Sequence, residues 1–163
     1  MVGRERDLDS YSVTPLILDR VGRSGPLGGV HAGLCWALER GLLGVFVTGC
    51  DVPFLEPSLI RSVVAASHSV DAVVPVSPDG RAQPLLAWYG RAAMSAIKAN
   101  LAQGAFSLVG LISQLDSVNL LHARSMTLRR PAEHVFLNVN SPGDLARAQR
   151  YFEEFPDDEG GLG

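Results

Sequence analysis

Five polar residues border apolar runs of the sequence in places where chemistry could be done: Asp19, Asp51, Gln83, Asn138 and Asn140. Asp51 is the most isolated. It follows the run Val45-Phe46-Val47-Thr48 and is the only charge between Gly41 and Leu55. A carboxylate at the carboxyl end of a core strand lies where open α/β sheets bind ligands. An ion, a ligand or a set of backbone N–H donors makes such a position comfortable. The alternative is that Asp51 caps a turn between Gly49 and Pro53. Asp19 repeats the arrangement after Thr14-Pro15-Leu16-Ile17-Leu18, and the stretch Gly22–Gly29 (G-R-S-G-P-L-G-G) follows it. We read that stretch as a flexible loop feeding a helix. Backbone N–H groups there, with the helix N-terminus, can hold an anion, although glycine-rich turns also precede helices for purely structural reasons.

Alternating strands and helices must position these residues. Val45–Thr48 reads as a buried parallel strand, apolar on both faces. Val30–Arg40 reads as a helix with Val30, Leu34, Ala37 and Leu38 on one face, closed by Gly41. A second helix starts at Pro57 and carries Leu59, Ile60, Val63 and Val64. Strands follow at Asp71–Val76 and Gln83–Tyr89, joined by the turn Pro78-Asp79-Gly80-Arg81, with Trp88 and Tyr89 as packing residues. Helices over Arg91–Gln103 and around Leu108–Leu115, and a strand over Ser117–Leu121, come next. Arg124, Arg129 and Arg130 lie in an irregular stretch and are read first as a solvated face, with contact to an anionic ligand as the alternative.

Phe136–Asn140 is expected to be a strand with Asn138 and Asn140 on one face. The helix after it should be capped by Ser141, with Pro142 at its first position, Asp144 at its third, and Leu145, Ala148 and Phe152 buried. The pattern predicts an α/β fold, a three-layer sandwich around a mostly parallel, Rossmann-like sheet. One edge of that sheet would collect Asp19, the glycine stretch, Asp51, Gln83, Asn138 and Asn140. Residues 1–152 read as a single domain, and 153–163 as an acidic, glycine-rich disordered tail.

Composition narrows the classes of function. Of 163 residues, 47% are hydrophobic and 19% charged, which is a globular composition. The net charge of −3, without any Lys/Arg stripe, argues against nucleic-acid binding. No apolar run is long enough to span a membrane. Cys35 and Cys50 are the only cysteines and form no framework, which suits a reducing cytoplasm.

Four segments in order, Asp19 with Gly25-Pro26-Leu27-Gly28-Gly29, Cys50-Asp51-Val52-Pro53-Phe54, Gln83-Pro84-Leu85 and Asn138-Val139-Asn140-Ser141-Pro142, resemble the molybdenum cofactor guanylyltransferases. These belong to a wider nucleotide-diphospho-sugar transferase-like superfamily. The resemblance implies transfer of GMP from GTP to the phosphate of molybdopterin, with release of pyrophosphate. It implies Asp51 as catalytic residue and Mg²⁺ ligand, and Asp19, Asp51, Gly25, Gly28 and Gly29 as nucleotide contacts. Gln83, Asn138 and Asn140 would serve the pterin, and other cofactor-biosynthesis proteins or molybdoenzymes would be partners.

The family also opens with a strand and a glycine-rich loop of the type L-A-G-G-x-S-x-R-M-G, which has no counterpart before Val2. On ordinary element lengths, about 40 or more residues of the pattern are missing. The expectation is an N-terminally incomplete domain, inactive by itself, with open strand edges where the first strand would lie. Two classes of function remain: a guanylyltransferase, or a related nucleotidyltransferase with another nucleotide or acceptor, and a non-catalytic pterin- or partner-binding relative.

Overall fold

The computed structural model describes residues 2–3, 17–18 and 24–155. Two short strands, β1 (Val2–Gly3) and β2 (Ile17–Leu18), pair in parallel and lie beside helix α1 (Gly25–Glu39). Then come β3 (Gly44–Thr48), α2 (Pro57–Ala65), β4 (Ala72–Val76), β5 (Leu86–Gly90), α3 (Met94–Gln103) and α4 (Leu108–Ile112). Strand β6 (Val118–His122), a single-turn helix α5 (Ala132–Val135) and α6 (Pro142–Glu154) complete the order.

The main sheet has the order β3-β5-β4-β6. β4 and β6 are parallel, and β5 runs antiparallel between β3 and β4. Three of the four strands therefore point the same way, and the reversed strand sits inside the sheet. The period-two alternation of β4 and β5 builds the three layers. Ala72, Val74, Ala87 and Tyr89 face α1, α3 and α4, meeting Leu27, Val30, Leu34, Ile97 and Leu111. Val73, Leu86 and Trp88 face the other way, onto Leu59 and Val63 of α2 and onto Val135 and Phe136. Trp88 and Tyr89 are packing residues, as expected, and the Tyr89 hydroxyl donates to the Pro84 carbonyl at 2.8 Å. Burial pushes that phenol's pKa well above its usual range. The Trp88 ring fits because Gly90, two residues further along the same strand, and Gly44, paired with Gly90 across the ladder, carry no Cβ. A methyl group at either would collide with the ring.

Several expectations need correction. The stretch around Gly25, Gly28 and Gly29 is not a loop. Helix α1 begins at Gly25, five residues before the expected start, because Pro26 takes the first-turn position that tolerates proline. Gly25 enters the helix at φ +57°, a conformation that suits glycine. β3 is half-buried rather than buried on both faces, since among the described residues its sole ladder partner is β5. Phe136–Asn140 is not a strand. The residues before it are taken by α5, and Phe136 and Leu137 bury into two different clusters. The buried stripe of α6 reduces to Ala148, with Leu145 and Phe152 exposed, and Val64 of α2 is exposed too. The final helix runs on to Glu154, so Glu153 and Glu154 do not belong to a tail. Residues 156–163, like Asp19, lie outside the described residues.

Candidate functional site

Strands β3, β4 and β6 end on the same edge of the sheet, and β5, running the other way, begins there. Their connections gather at that edge: Gly49–Asp51 after β3, Ser77–Leu85 between β4 and β5, and Ala123 onward after β6. Helix α1 packs on β3 and reaches it through the four residues 40–43, so its N-terminus returns to this edge.

Backbone bonds fix the exit of β3. The Gly49 N–H donates to the Leu85 carbonyl at 2.9 Å, and the Asp51 carbonyl accepts the Val139 N–H at 2.8 Å. Those two bonds tie Asp51 to the Gln83–Leu85 segment on one side and to Asn138–Asn140 on the other. The Asp51 side chain is half-buried, and no described residue donates a hydrogen bond to its carboxylate. Gly49 leaves room for it, because a Cβ there would strike Asp51 Oδ1. Asp51 is thus less a turn cap than a carboxylate held in place and left open. No group of three or more His, Cys, Asp or Glu residues is placed to hold a metal among the described residues. A single carboxylate matches Mg²⁺, which keeps several waters and takes one or two protein carboxylates.

Gln83, Asn138 and Asn140 line one cleft of about 540 Å³. Its first wall is the β4–β5 connection. There the Gln83 Nε2 donates to Ser77 Oγ at 3.1 Å, and the Gln83 N–H donates to the Pro75 carbonyl at 2.8 Å. The Ser77 hydroxyl lies 2.5 Å from Asp79 Oδ1, and this contact, more than the neighbouring Arg81, lowers the Asp79 pKa. The second wall is the Leu137–Asn140 segment with the first turns of α6. Ser141 is the N-cap and receives the Asp144 N–H at 3.2 Å, while Asp144 Oδ2 accepts the Ser141 hydroxyl at 2.8 Å and the Asn140 N–H at 3.3 Å. The expected cap is therefore present as a reciprocal capping box. Ser141 first, then the Asn140 N–H, hold the Asp144 pKa below its ordinary value.

Asp51 does not line the cleft, but its carbonyl is bonded to the Val139 N–H of the second wall. Gly28 belongs to the buried face of α1 and offers no approach to a ligand. Gly25 at the helix start is exposed and Gly29 half-buried. A second cavity of about 340 Å³ adjoins the cleft through Ser77, Pro78 and Glu133, and carries His122 and Arg124.

Sequence reading missed Glu56. It is buried, stands at the N-cap of α2, and accepts the Ser58 hydroxyl together with the Arg129 and Arg130 N–H groups, at 2.8 and 3.3 Å. An acid just before Pro57 is a helix-start signal, but its reach to a loop 73 residues away is not readable from spacing. His134 was passed over as well. It is buried and stacked on Tyr151 at 3.6 Å, with its Nδ1 unpartnered, in an aromatic group that includes Phe54.

The sequence profile of the MobA-like NTP transferase domain matches residues 1–118. A probable molybdenum cofactor guanylyltransferase of Pelotomaculum thermopropionicum is 32% identical over 134 residues, which are 82% of this chain and 63% of that protein. The molybdenum cofactor guanylyltransferase of Desulfosudis oleivorans is 29% identical over 126 residues, 77% of this chain and 60% of its own length. The chain thus spans less than two thirds of these relatives. Among solved structures, molybdopterin-guanine dinucleotide biosynthesis protein A from Archaeoglobus fulgidus superposes with a TM-score of 0.77 at 25% identity, over 94% of this chain and 77% of that one. With its three-layer α/β fold and the match of its first 118 residues, the chain belongs to the MobA-like NTP transferase family.

Proposed function

We propose that the protein works in the transfer of GMP from GTP to the phosphate of molybdopterin, with Asp51 at the reacting centre and the Gln83/Asn138/Asn140 cleft holding the acceptor. An oxygen of the acceptor phosphate forms the new bond to the α-phosphorus. The bridging bond to the β-phosphate breaks, and pyrophosphate leaves with that electron pair. No covalent enzyme intermediate is needed, so the demand on the protein is alignment and charge neutralisation. Asp51 is the residue that would hold Mg²⁺, which when bound supplies positive charge to the phosphates. The neutral amides of Gln83, Asn138 and Asn140 suit the donors and acceptors of a pterin ring without adding negative charge beside phosphates. The N-terminus of α1, on the same edge, is the described feature best suited to an anion. A cytoplasmic setting suits the two free cysteines.

The observation that carries this reading is the half-buried Asp51 carboxylate, at a strand exit and without a described internal donor. Asp51→Asn tests it. Assayed in a chain that carries the family's opening glycine-rich loop, the variant should fold normally, lose Mg²⁺-dependent GTP binding, and drop GMP transfer by at least about 100-fold, the scale of losing one aligned electrostatic group. Wild-type GTP affinity and turnover in that variant would refute the assignment.

A further inference from the structure

Joining an acceptor phosphate to a nucleotide brings two anions together, and a metal on the nucleotide side does not neutralise the acceptor. Cations are needed on the acceptor's side as well. The charged residues lining the cleft are Asp79, Arg81, Glu133, Asp144 and Arg147, so its two cations stand one on each wall. Resting on the acceptor-cleft reading above, we propose that Arg81 and Arg147 form the clamp that holds the acceptor's phosphate.

The pairing of each arginine fits that role. Arg81 Nε is 3.2 Å from Asp79 Oδ2, and both side chains are more than half exposed. Such a pair contributes little and opens readily to a stronger anion. Asp79 keeps its Ser77 contact when Arg81 leaves. Arg147 Nη2 donates to Asp144 Oδ1 at 3.1 Å, while the other carboxylate oxygen is taken by Ser141 and Asn140. Asp144 therefore stays in the capping box whether or not Arg147 remains on it. In the free protein the carboxylate parks the guanidinium one helical turn from Asn140. A phosphate oxygen pair can then accept the planar fork bidentately, which a carboxylate held by one oxygen does not use. The Asn140 N–H bond to Asp144 keeps the clamp in register with the amides that would read the ring.

Calorimetric titration of the full chain with 6-(hydroxymethyl)pterin phosphate and with unphosphorylated 6-(hydroxymethyl)pterin tests the clamp. The wild type should bind the phosphorylated probe at least about tenfold more tightly, on the scale of charge-assisted bonds, and added salt should shrink that ratio. Arg81→Gln and Arg147→Gln should each lower the ratio, and the double variant should bring it to about one, with affinity for the unphosphorylated probe unchanged. Arg147→Lys, which keeps the charge and loses the fork, should fall between. A merely structural role would move both affinities together. Equal binding of the two probes by wild type, or a preference surviving in the double variant, would overturn the clamp and leave the acceptor cleft standing. Failure of both probes to bind wild type would remove the acceptor reading and the clamp with it.

Discussion

Asp51 and Asp144 are two carboxylates linked through a few residues of backbone, and the fold treats them in opposite ways. Asp144 is more a structural element than a reactive group, since a serine hydroxyl, a backbone N–H and an arginine all converge on it. Asp51 is half-buried, its backbone is anchored on both sides, and no described residue donates to its carboxylate. A polar group kept from full solvent without internal partners is unfavourable unless something external completes it. The contrast separates a residue that builds the wall of a cleft from one whose carboxylate is left open, as the proposed role requires. It also explains the glycine at position 49, which serves the side chain two residues later rather than a turn.

After Asp51→Asn itself, the largest expected effect comes from erasing that difference. Gly49→Ala would place a methyl group too close to Asp51 Oδ1 for that atom to stay where it is. A carboxylate at the end of a side chain can swing away cheaply, so the melting temperature should change little. Mg²⁺-dependent GTP affinity should fall by about tenfold or more as the ligand moves off its aim. Unchanged affinity, measured by fluorescence titration, would mean the carboxylate has no fixed task.

Glu56 offers the next test, as a buried acid committed even more fully than Asp144. Glu56→Ala would leave the Arg129 and Arg130 N–H groups without their acceptor in a part-buried place. A loss of about 2 kcal/mol in chemical denaturation is expected, with no direct effect on ligand affinity. Ser141→Ala should cost less, about 1 kcal/mol for a lost N-cap, and should lower binding of the pterin probes by shifting Asn140. If Ser141→Ala left stability and probe binding both untouched, the capping box would not be what sets that wall.

The capping box was legible because all its parts are local: Ser141, Pro142 and Asp144 announce a helix start within four positions. The place of Asp51 at a strand exit was legible for a similar reason, as one charge at the end of an apolar run. The α/β class followed from alternation, and the packing role of Trp88 and Tyr89 from their place on a strand. What failed depended on neighbours far along the chain. Whether β3 is buried on both faces is set by what pairs with its outer edge. Whether Phe136–Asn140 forms a strand is set by α5 and by two separate clusters drawing Phe136 and Leu137 apart. Gly25, Gly28 and Gly29 misled because glycine content outweighed the first-turn signal of Pro26. The cleft itself, with one wall from residues 77–83 and the other from 137–147, and the reach of Glu56 to residues 129 and 130, are tertiary facts that no local spacing encodes.

The smallest effect separates the two carboxylates by pH. Asp144 has a pKa held below the ordinary carboxylate value by the Ser141 hydroxyl and then by the Asn140 N–H, so its folded value is lower than its unfolded one. A depressed carboxylate contributes stability that is fully present above the unfolded value and is lost as pH falls through the folded one. The contribution should therefore be constant from neutral pH down to about pH 4, then fade. Asp144→Asn removes the charge, so the gap in melting temperature between wild type and variant should be steady near neutrality and shrink in more acidic buffer. Because the group is only part-buried and its partners lie near the surface, the gap should be small and should diminish in high salt. A gap that persisted unchanged well below pH 3 would mean that the box is held by neutral hydrogen bonds alone, and that the charge on Asp144 serves only to park Arg147.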